Sequence, residues 1–272
     1  MDGNISSFKE LMDTINKLTT DDEIVDFVRR RLEFLENSSQ KRTIDRNYGG
    51  KLIGTITDGY INSESPIITS YMVDPFYLND ITLYVEFLKQ IKGKKISNLL
   101  SIFYELRDFT KVAFGFKGNQ SIRENVYLQE RNNEISIADF YKNDSALCSE
   151  RSAAVQNIAE FCCIDSFLVF GKMEVDEKIE EHAYNIFKAK DGTLILFDPT
   201  NPVMLDYGDM VGYAPAYSII GKEDINAVEE INFDFEYISK VHKLPIHECE
   251  KNRKYRTCYY ELNHQNSSGK KL

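Results

Sequence analysis

The segment His182-Ala183-Tyr184-Asn185-Ile186-Phe187-Lys188-Ala189-Lys190-Asp191-Gly192-Thr193-Leu194-Ile195-Leu196-Phe197-Asp198-Pro199-Thr200 decides the fold. Residues 182–190 and 193–198 read as two strands joined at Lys190-Asp191-Gly192. A two-residue loop would set Asn185 opposite Asp198 and put Asp198 on the face away from His182. A three-residue loop sets Ala189 opposite Thr193, Tyr184 opposite Asp198 and His182 opposite Thr200. All four residues then share one face, and His182 and Asp198 become diagonal neighbours within reach of each other. The three-residue loop needs a left-handed residue at its end, and Gly192 stands there. The sequence therefore predicts the bulged loop.

Upstream, residues 167–175 read as a buried strand and 149–162 as a helix, from the spacing of Ala153, Ala154, Val155, Ile158, Ala159 and Phe161. Cys148 opens that helix, and Asn143-Asp144-Ser145 before it supplies turn and capping residues. A thiol attacks only as its thiolate. A helix start offers unsatisfied N–H groups and a positive dipole end, and both favour the thiolate. An imidazole takes the thiol proton, and a carboxylate on its other ring nitrogen fixes tautomer and orientation. Cys148, His182 and Asp198 supply these three groups. The backbone N–H of Cys148 is the first oxyanion donor expected. Asn143 and Tyr184 are the further oxyanion or substrate-contacting candidates.

The order of these pieces resembles the transglutaminase-like cysteine enzyme superfamily. The matching motifs are Cys148-Ser149-Glu150-Arg151-Ser152-Ala153-Ala154, Phe167-Leu168-Val169-Phe170-Gly171, His182-Ala183-Tyr184-Asn185 and Phe197-Asp198-Pro199-Thr200. The resemblance covers about residues 141–205. It departs from the family at Ser145-Ala146-Leu147, where a glycine is common, and at Tyr184, where tryptophan is usual. It departs again at Cys163, where glycine usually precedes the central strand. The resemblance implies a papain-like α+β fold, with the cysteine-bearing helix packed on an antiparallel sheet that carries histidine and aspartate. It implies thiol acyl transfer through a thioester, with water or an amine as acceptor and no cofactor. Hydrolysis of a peptide or amide bond is the expected reaction. Amine transfer to glutamine, deamidation, and a non-catalytic interaction protein are the alternatives.

The rest of the chain is read from pattern alone. Residues 5–18 and 21–36 are two amphipathic helices, the second opened by a capping box at Thr20 and Glu23. They form an N-terminal hairpin extension over residues 1–45, ahead of a single domain over 46–265. Residues 38–48 read as a loop, 52–56 and 67–72 as short strands, and 81–91 and 96–109 as helices broken at Gly93. Strands are expected at 124–129 and 215–220, a short element at 233–241, and a disordered tail at 266–272.

The 272 residues carry 33 basic and 43 acidic side chains, a net charge of -10. That balance argues against a nucleic-acid partner and leaves a peptide, protein or small amide as the expected substrate. No apolar run reaches the roughly 18 residues of a membrane span, so no membrane role is expected. The start, Met-Asp-Gly-Asn, does not read as a secretory signal. Five cysteines, two of them adjacent at Cys162 and Cys163, do not form a disulfide framework and fit a reducing cytoplasm. The cluster His242, His247, Cys249 and Cys258 lacks a paired zinc knuckle. The acidic run Glu174, Asp176, Glu177, Glu180 and Glu181 has no EF-hand spacing. No metal is expected at either, and the acidic run reads as a solvated hairpin loop.

Overall fold

Local capping sets the first two helices. In α1 (Phe8–Ile15) the Ser7 hydroxyl accepts from the Glu10 N–H at 3.3 Å, so the helix starts later than the apolar spacing alone implies. In α2 (Asp21–Asn37) the Thr20 hydroxyl accepts from the Glu23 N–H at 3.2 Å, and the Glu23 carboxylate accepts from the Thr20 N–H at 3.1 Å. This is the reciprocal box expected there. The computed structural model describes residues 3–37, 44–48, 51–54, 60–62, 70–72, 81–115, 118–129, 137–175, 178–206, 211–221, 230–232 and 258–261. The element expected at 233–241 and the tail at 266–272 lie outside them.

Strands β1 (Ile44–Tyr48) and β2 (Lys51–Gly54) pair antiparallel, with Ile44 opposite Gly54. The loop expected over 38–48 is corrected in its second half. Its polar residues conceal a strand, because pairing with β2 decides it over composition. Strands β3 (Tyr60–Asn62) and β4 (Ser70–Met72) form a separate two-stranded ladder. Helix α3 (Ile81–Ile91) has the expected bounds and gives way to Gly93 at φ +76°. Helix α4 (Leu99–Phe114) begins at the Asn98 cap, whose Oδ1 accepts from the Ser101 N–H at 2.9 Å.

Residues 124–129, expected as a strand, belong instead to helix α5 (Gln120–Gln129). The aromatic and β-branched residues of that stretch favoured a strand, but a local cap overrides them. Asn119 Oδ1 accepts from the N–H groups of Ser121 and Ile122 at 3.0 and 3.2 Å, and Gln120 Nε2 donates to Glu124 Oε1 at 2.8 Å one turn on.

Helix α6 (Cys148–Phe161) is buried on nearly every side, including Glu150, Arg151, Ser152, Gln156 and Asn157. It ends in a Schellman turn, with Ile164 N–H bonded to Ala159 C=O at 2.8 Å and Cys163 N–H to Glu160 C=O at 3.1 Å. Cys163 holds the left-handed place at φ +57°. A cysteine thus holds a place that favours glycine, without loss of the turn. The cysteine sulfur accepts from Arg31 Nη2 at 2.9 Å.

The remaining strands are β5 (Ser166–Val175), β6 (Lys178–Lys188), β7 (Leu194–Asp206), β8 (Val211–Gly221), β9 (Glu230–Asn232) and β10 (Cys258–Glu261). They join β1 and β2 in one antiparallel sheet of order β1-β2-β5-β6-β7-β8, with β10 pairing both β5 and β9. The fold is α+β. Strands β5 and β6 stay paired up to Val175 opposite Lys178. Most of the acidic run therefore lies within paired strands rather than in a loop.

One core joins the helices to the sheet, and the N-terminal hairpin is part of it. Phe27 of α2 meets Phe161 edge to face at 6.4 Å. Phe103 of α4 stacks on Phe197 at 4.9 Å and meets Phe187 at 5.0 Å. Arg31, 2% exposed, donates to the carbonyls of Gly3, Ile5 and Phe161 and ties the N-terminus to the end of α6.

The decisive hairpin has the expected register. Ala189 N–H donates to Thr193 C=O at 2.8 Å and Gly192 N–H to Ala189 C=O at 2.9 Å, with Gly192 at φ +87°. A Cβ at Gly192 would meet nothing within 4 Å, so conformational strain alone opposes substitution. Gly192→Ala should cost about 1 kcal/mol in urea unfolding, with Gly192→Asn recovering part of it. Equal stability of glycine and alanine at this position would refute the left-handed loop.

Candidate active site

The ladder between β6 and β7 runs from Lys188 opposite Leu194 to Asn185 opposite Phe197 and ends there. Backbone groups alternate sides along a strand. Ala189 donates toward β7, so Ala183, an even number of residues away, turns its N–H and C=O to that same side. The amino end of α6 takes them up. Ser152 Oγ donates to the Ala183 carbonyl at 2.9 Å, and the Ala183 N–H bonds to the Cys148 sulfur. Two residues further on, Asn185 Nδ2 donates to the Ser152 carbonyl at 2.9 Å. The helix start thus occupies the place that further β6–β7 pairing would fill.

This arrangement brings Cys148, His182 and Asp198 together. His182 Nε2 lies 3.1 Å from Asp198 Oδ2, with both side chains buried. Nδ1 is thereby left as the ring nitrogen for the Cys148 sulfur, with which His182 forms a side-chain hydrogen bond. Asp198 is held on all sides. Its Oδ1 accepts from the N–H groups of Thr200 at 2.8 Å and Asn201 at 3.3 Å, and its Oδ2 accepts from Asn201 Nδ2 at 2.9 Å. The turn at Pro199 follows from this Asx geometry, and the β7–β8 register shifts between Asp198 and Val203.

The electrostatics favour an ion pair. Burial pushes the Cys148 thiol up, but the hydrogen bond and charge of His182 and the Ala183 N–H outweigh it, and the pKa falls below the ordinary thiol value. Burial pulls His182 down, yet Asp198 and Cys148 push it up to about 10. The other described thiols go the opposite way. Burial raises Cys162, and burial raises Cys163 despite Arg31 beside it. Cys148 is a half-buried free thiol, and Cys162 is buried.

The loop before α6 differs in detail from the expectation. Leu147 is the N-cap residue, and Glu150 reaches back to accept from its N–H at 2.9 Å. The first intrahelical bond runs from Arg151 N–H to Leu147 C=O, so Cys148 and Ser149 stand in the first turn, ahead of that ladder. Asn143, the oxyanion candidate, also helps to shape the loop before α6. Its Nδ2 donates one N–H to the Asp139 carbonyl at 2.7 Å and its Oδ1 accepts from the Ser145 N–H at 3.0 Å, so its amide oxygen and one of its two donors shape the loop. Tyr184 is fully buried, with its ring 6.4 Å from that of His182 and near parallel to it. It backs the imidazole instead of presenting an open substrate contact.

Several residues that hold the site were missed. Asn201 could have been found from Asp198-Pro199-Thr200-Asn201, since an aspartate at a turn seeks donors two and three residues on. Arg151 donates to the carbonyls of Ala146, Gly115 and Phe114 at 2.7–3.0 Å, fastening α6 to the end of α4. Arg123 pairs with Glu150 at 2.8 Å. These long-range partners have no local sequence signature.

Of the cluster His242, His247, Cys249 and Cys258, Cys258 opens β10 and the other three lie outside the described residues. Among the described residues no group of three His, Cys, Asp or Glu side chains could hold a metal ion, and no helix is long and apolar enough to cross a membrane. No family model, curated protein or solved structure matches the chain.

The shifted thiols give a direct test. With sub-stoichiometric iodoacetamide at pH 6, Cys148 should be alkylated ahead of Cys162, Cys163, Cys249 and Cys258 in peptide mapping. The acidic limb of its rate profile should lie below the ordinary thiol range and move up in His182→Ala, where the Ala183 N–H alone is left to oppose burial. A Cys148 rate no faster than that of Cys162 would contradict the ion pair.

Proposed function

We propose that the chain is a thiol-dependent acyl-transfer enzyme with a papain-like, transglutaminase-like core. The observation that carries this reading is the His182 imidazole, held between the Cys148 sulfur and an Asp198 carboxylate that is itself fully hydrogen-bonded. A buried structural cysteine needs no base oriented in this way. The motif order and the placement of Cys148 at a helix start support the same reading.

In the proposed reaction the Cys148 thiolate attacks the carbonyl carbon of a peptide or amide. The carbonyl π pair moves onto oxygen, and the Cys148 N–H at the start of α6 stabilises that charge. Imidazolium Nδ1 gives its proton to the departing nitrogen as the C–N bond breaks, leaving a thioester. Water then gives a proton to Nδ1 and attacks the thioester, and the thiolate leaves as the acid forms. An amine in place of water would give a new amide instead. Asp198 remains ionised throughout and holds the ring through Nε2.

p-Nitrophenyl acetate tests the chemistry independently of the natural substrate. A burst of nitrophenol and a 42-Da acetyl adduct on Cys148 are expected in intact-mass spectra (the adduct mass is that of ketene, about 42 Da). Both should vanish in Cys148→Ala, and Asp198→Asn should slow acylation by about two to four orders of magnitude. An unchanged burst in Cys148→Ala would sink the assignment. Addition of monodansylcadaverine and a glutamine peptide then separates the acceptors, since label incorporation marks amine transfer and free acid marks hydrolysis.

A further inference from the structure

Two acidic groups draw on the positive end of helix α6. Cys148 places its sulfur there, and Glu150 brings a carboxylate to the same first turn. Glu150 is fully buried. Side chains two apart on a helix do not face each other. Glu150 nevertheless folds back to accept from the Leu147 N–H at 2.9 Å, which returns its charge to the helix start. A buried carboxylate is costly without a partner, and beside a thiolate it also repels. Burial raises the Cys148 thiol most, and the Glu150 charge adds to that rise.

A compensating cation comes from another helix. Arg123 of α5, itself buried, donates from Nε and Nη2 to Glu150 Oε1 at 3.0 and 2.8 Å. Its Nη2 also donates to Ser149 Oγ at 3.1 Å. The start of α5 is pinned to the loop before Cys148, because the Asn119 N–H donates to the Asp144 carbonyl at 2.7 Å. The other charged groups around the thiol are placed differently. His182 of β6 bonds the sulfur, and Asp198 of β7 lies behind the imidazole. Asp139, Lys142 and Asp144 stand in the segment that leads into α6. Arg151 is within electrostatic range of Cys148, Glu150, Asp198 and Asp144, and it hydrogen-bonds the carbonyls of Ala146, Gly115 and Phe114. Arg107 and Lys111 of α4 line a small cavity with Arg151, and Arg31 of α2 meets the far end of α6. Arg123 touches the Glu150 carboxylate directly.

We infer that Arg123 is a positioning residue for the proposed chemistry: besides holding Glu150 in place, it neutralises that carboxylate, which can then brace the start of α6 without repelling the Cys148 thiolate. The inference rests on the acyl-transfer reading for its purpose, while its electrostatic content is read on the thiol itself. A pair that only held structure would disturb the thiol in the same direction when either partner is lost. A pair that balances charge makes the two losses opposite in sign. Removing Arg123 leaves an anion facing the thiolate, and removing the Glu150 charge leaves a cation.

The test is the pH profile of Cys148 alkylation by iodoacetamide in the full chain, read by peptide mapping from pH 3 to 9. Arg123→Met should move the acidic limb up by about one pH unit, which is a roughly tenfold slower reaction on that limb. Glu150→Gln, which keeps an oxygen for the Leu147 N–H, should move the limb down. The double variant should return it close to the wild-type position, and Arg123→Lys, which keeps the charge, should leave it there. Shifts of the same sign in the two single variants, or no shift in Glu150→Gln, would overturn the inference. Circular dichroism reports whether each variant folds, and if Arg123→Met does not, the sign of the Glu150→Gln shift decides alone. Failure of the enzyme reading has its own signature: wild-type Cys148 would give no acetyl adduct with p-nitrophenyl acetate, while the opposed shifts persist.

Discussion

The site depends on where β6 and β7 stop pairing. Beyond Asn185 and Phe197 the ladder ends, and the start of α6 supplies the partners instead. Ser152 takes the Ala183 carbonyl, and the Cys148 sulfur takes the Ala183 N–H. A backbone donor that would otherwise bond a neighbouring strand is thereby turned into support for a thiolate. The same geometry puts His182 diagonal to Asp198, because a three-residue loop at Gly192 sets the register of both strands. One residue of slip would move Asp198 to the opposite face and dissolve the constellation.

The surroundings make that geometry stiff. Helix α6 carries charged and polar side chains into the interior, and each charged one is tied down. Arg123 satisfies Glu150, which also caps the helix start through the Leu147 N–H. Arg151 fastens the same turn to the end of α4. A buried ion pair is weak support for stability as such, whereas removing one partner costs about 3–5 kcal/mol. The Arg123–Glu150 pair therefore serves mainly to fix where the first turn of α6 sits, and with it the sulfur. Gly118 contributes from the other side, since a Cβ there would collide with the Ala146 carbonyl and push the loop before Cys148 away.

What could be read from sequence divides by the range of the interactions involved. The hairpin register, the Thr20–Glu23 box and the helix at 81–91 depend on neighbours within a few residues, and each was legible. So was the approach of His182 to Asp198, because strand period and loop length determine it, whereas the place of Cys148 beside them depends on long-range bonds between α6 and β6. Strand β1 and helix α5 were misread for opposite reasons. Pairing with β2 overrides a polar composition in the first, and the Asn119 cap overrides a strand-like composition in the second. Asn143 looked like a free amide five residues before the thiol, but the structure uses it to close its own loop. Arg31 and Arg151 act on carbonyls from distant segments, which no local pattern announces.

The chemistry proposed for Cys148 rests on a buried imidazolium, held by Asp198, that stabilises its thiolate. The imidazole resonances of His182 in the full chain, followed by NMR from pH 5 to 11, report it directly. The ring should still be protonated on both nitrogens at pH 8 and lose its proton only near pH 10, with a lower midpoint in Asp198→Asn. A His182 ring that is neutral at pH 8, or whose titration ignores Asp198→Asn, would contradict it.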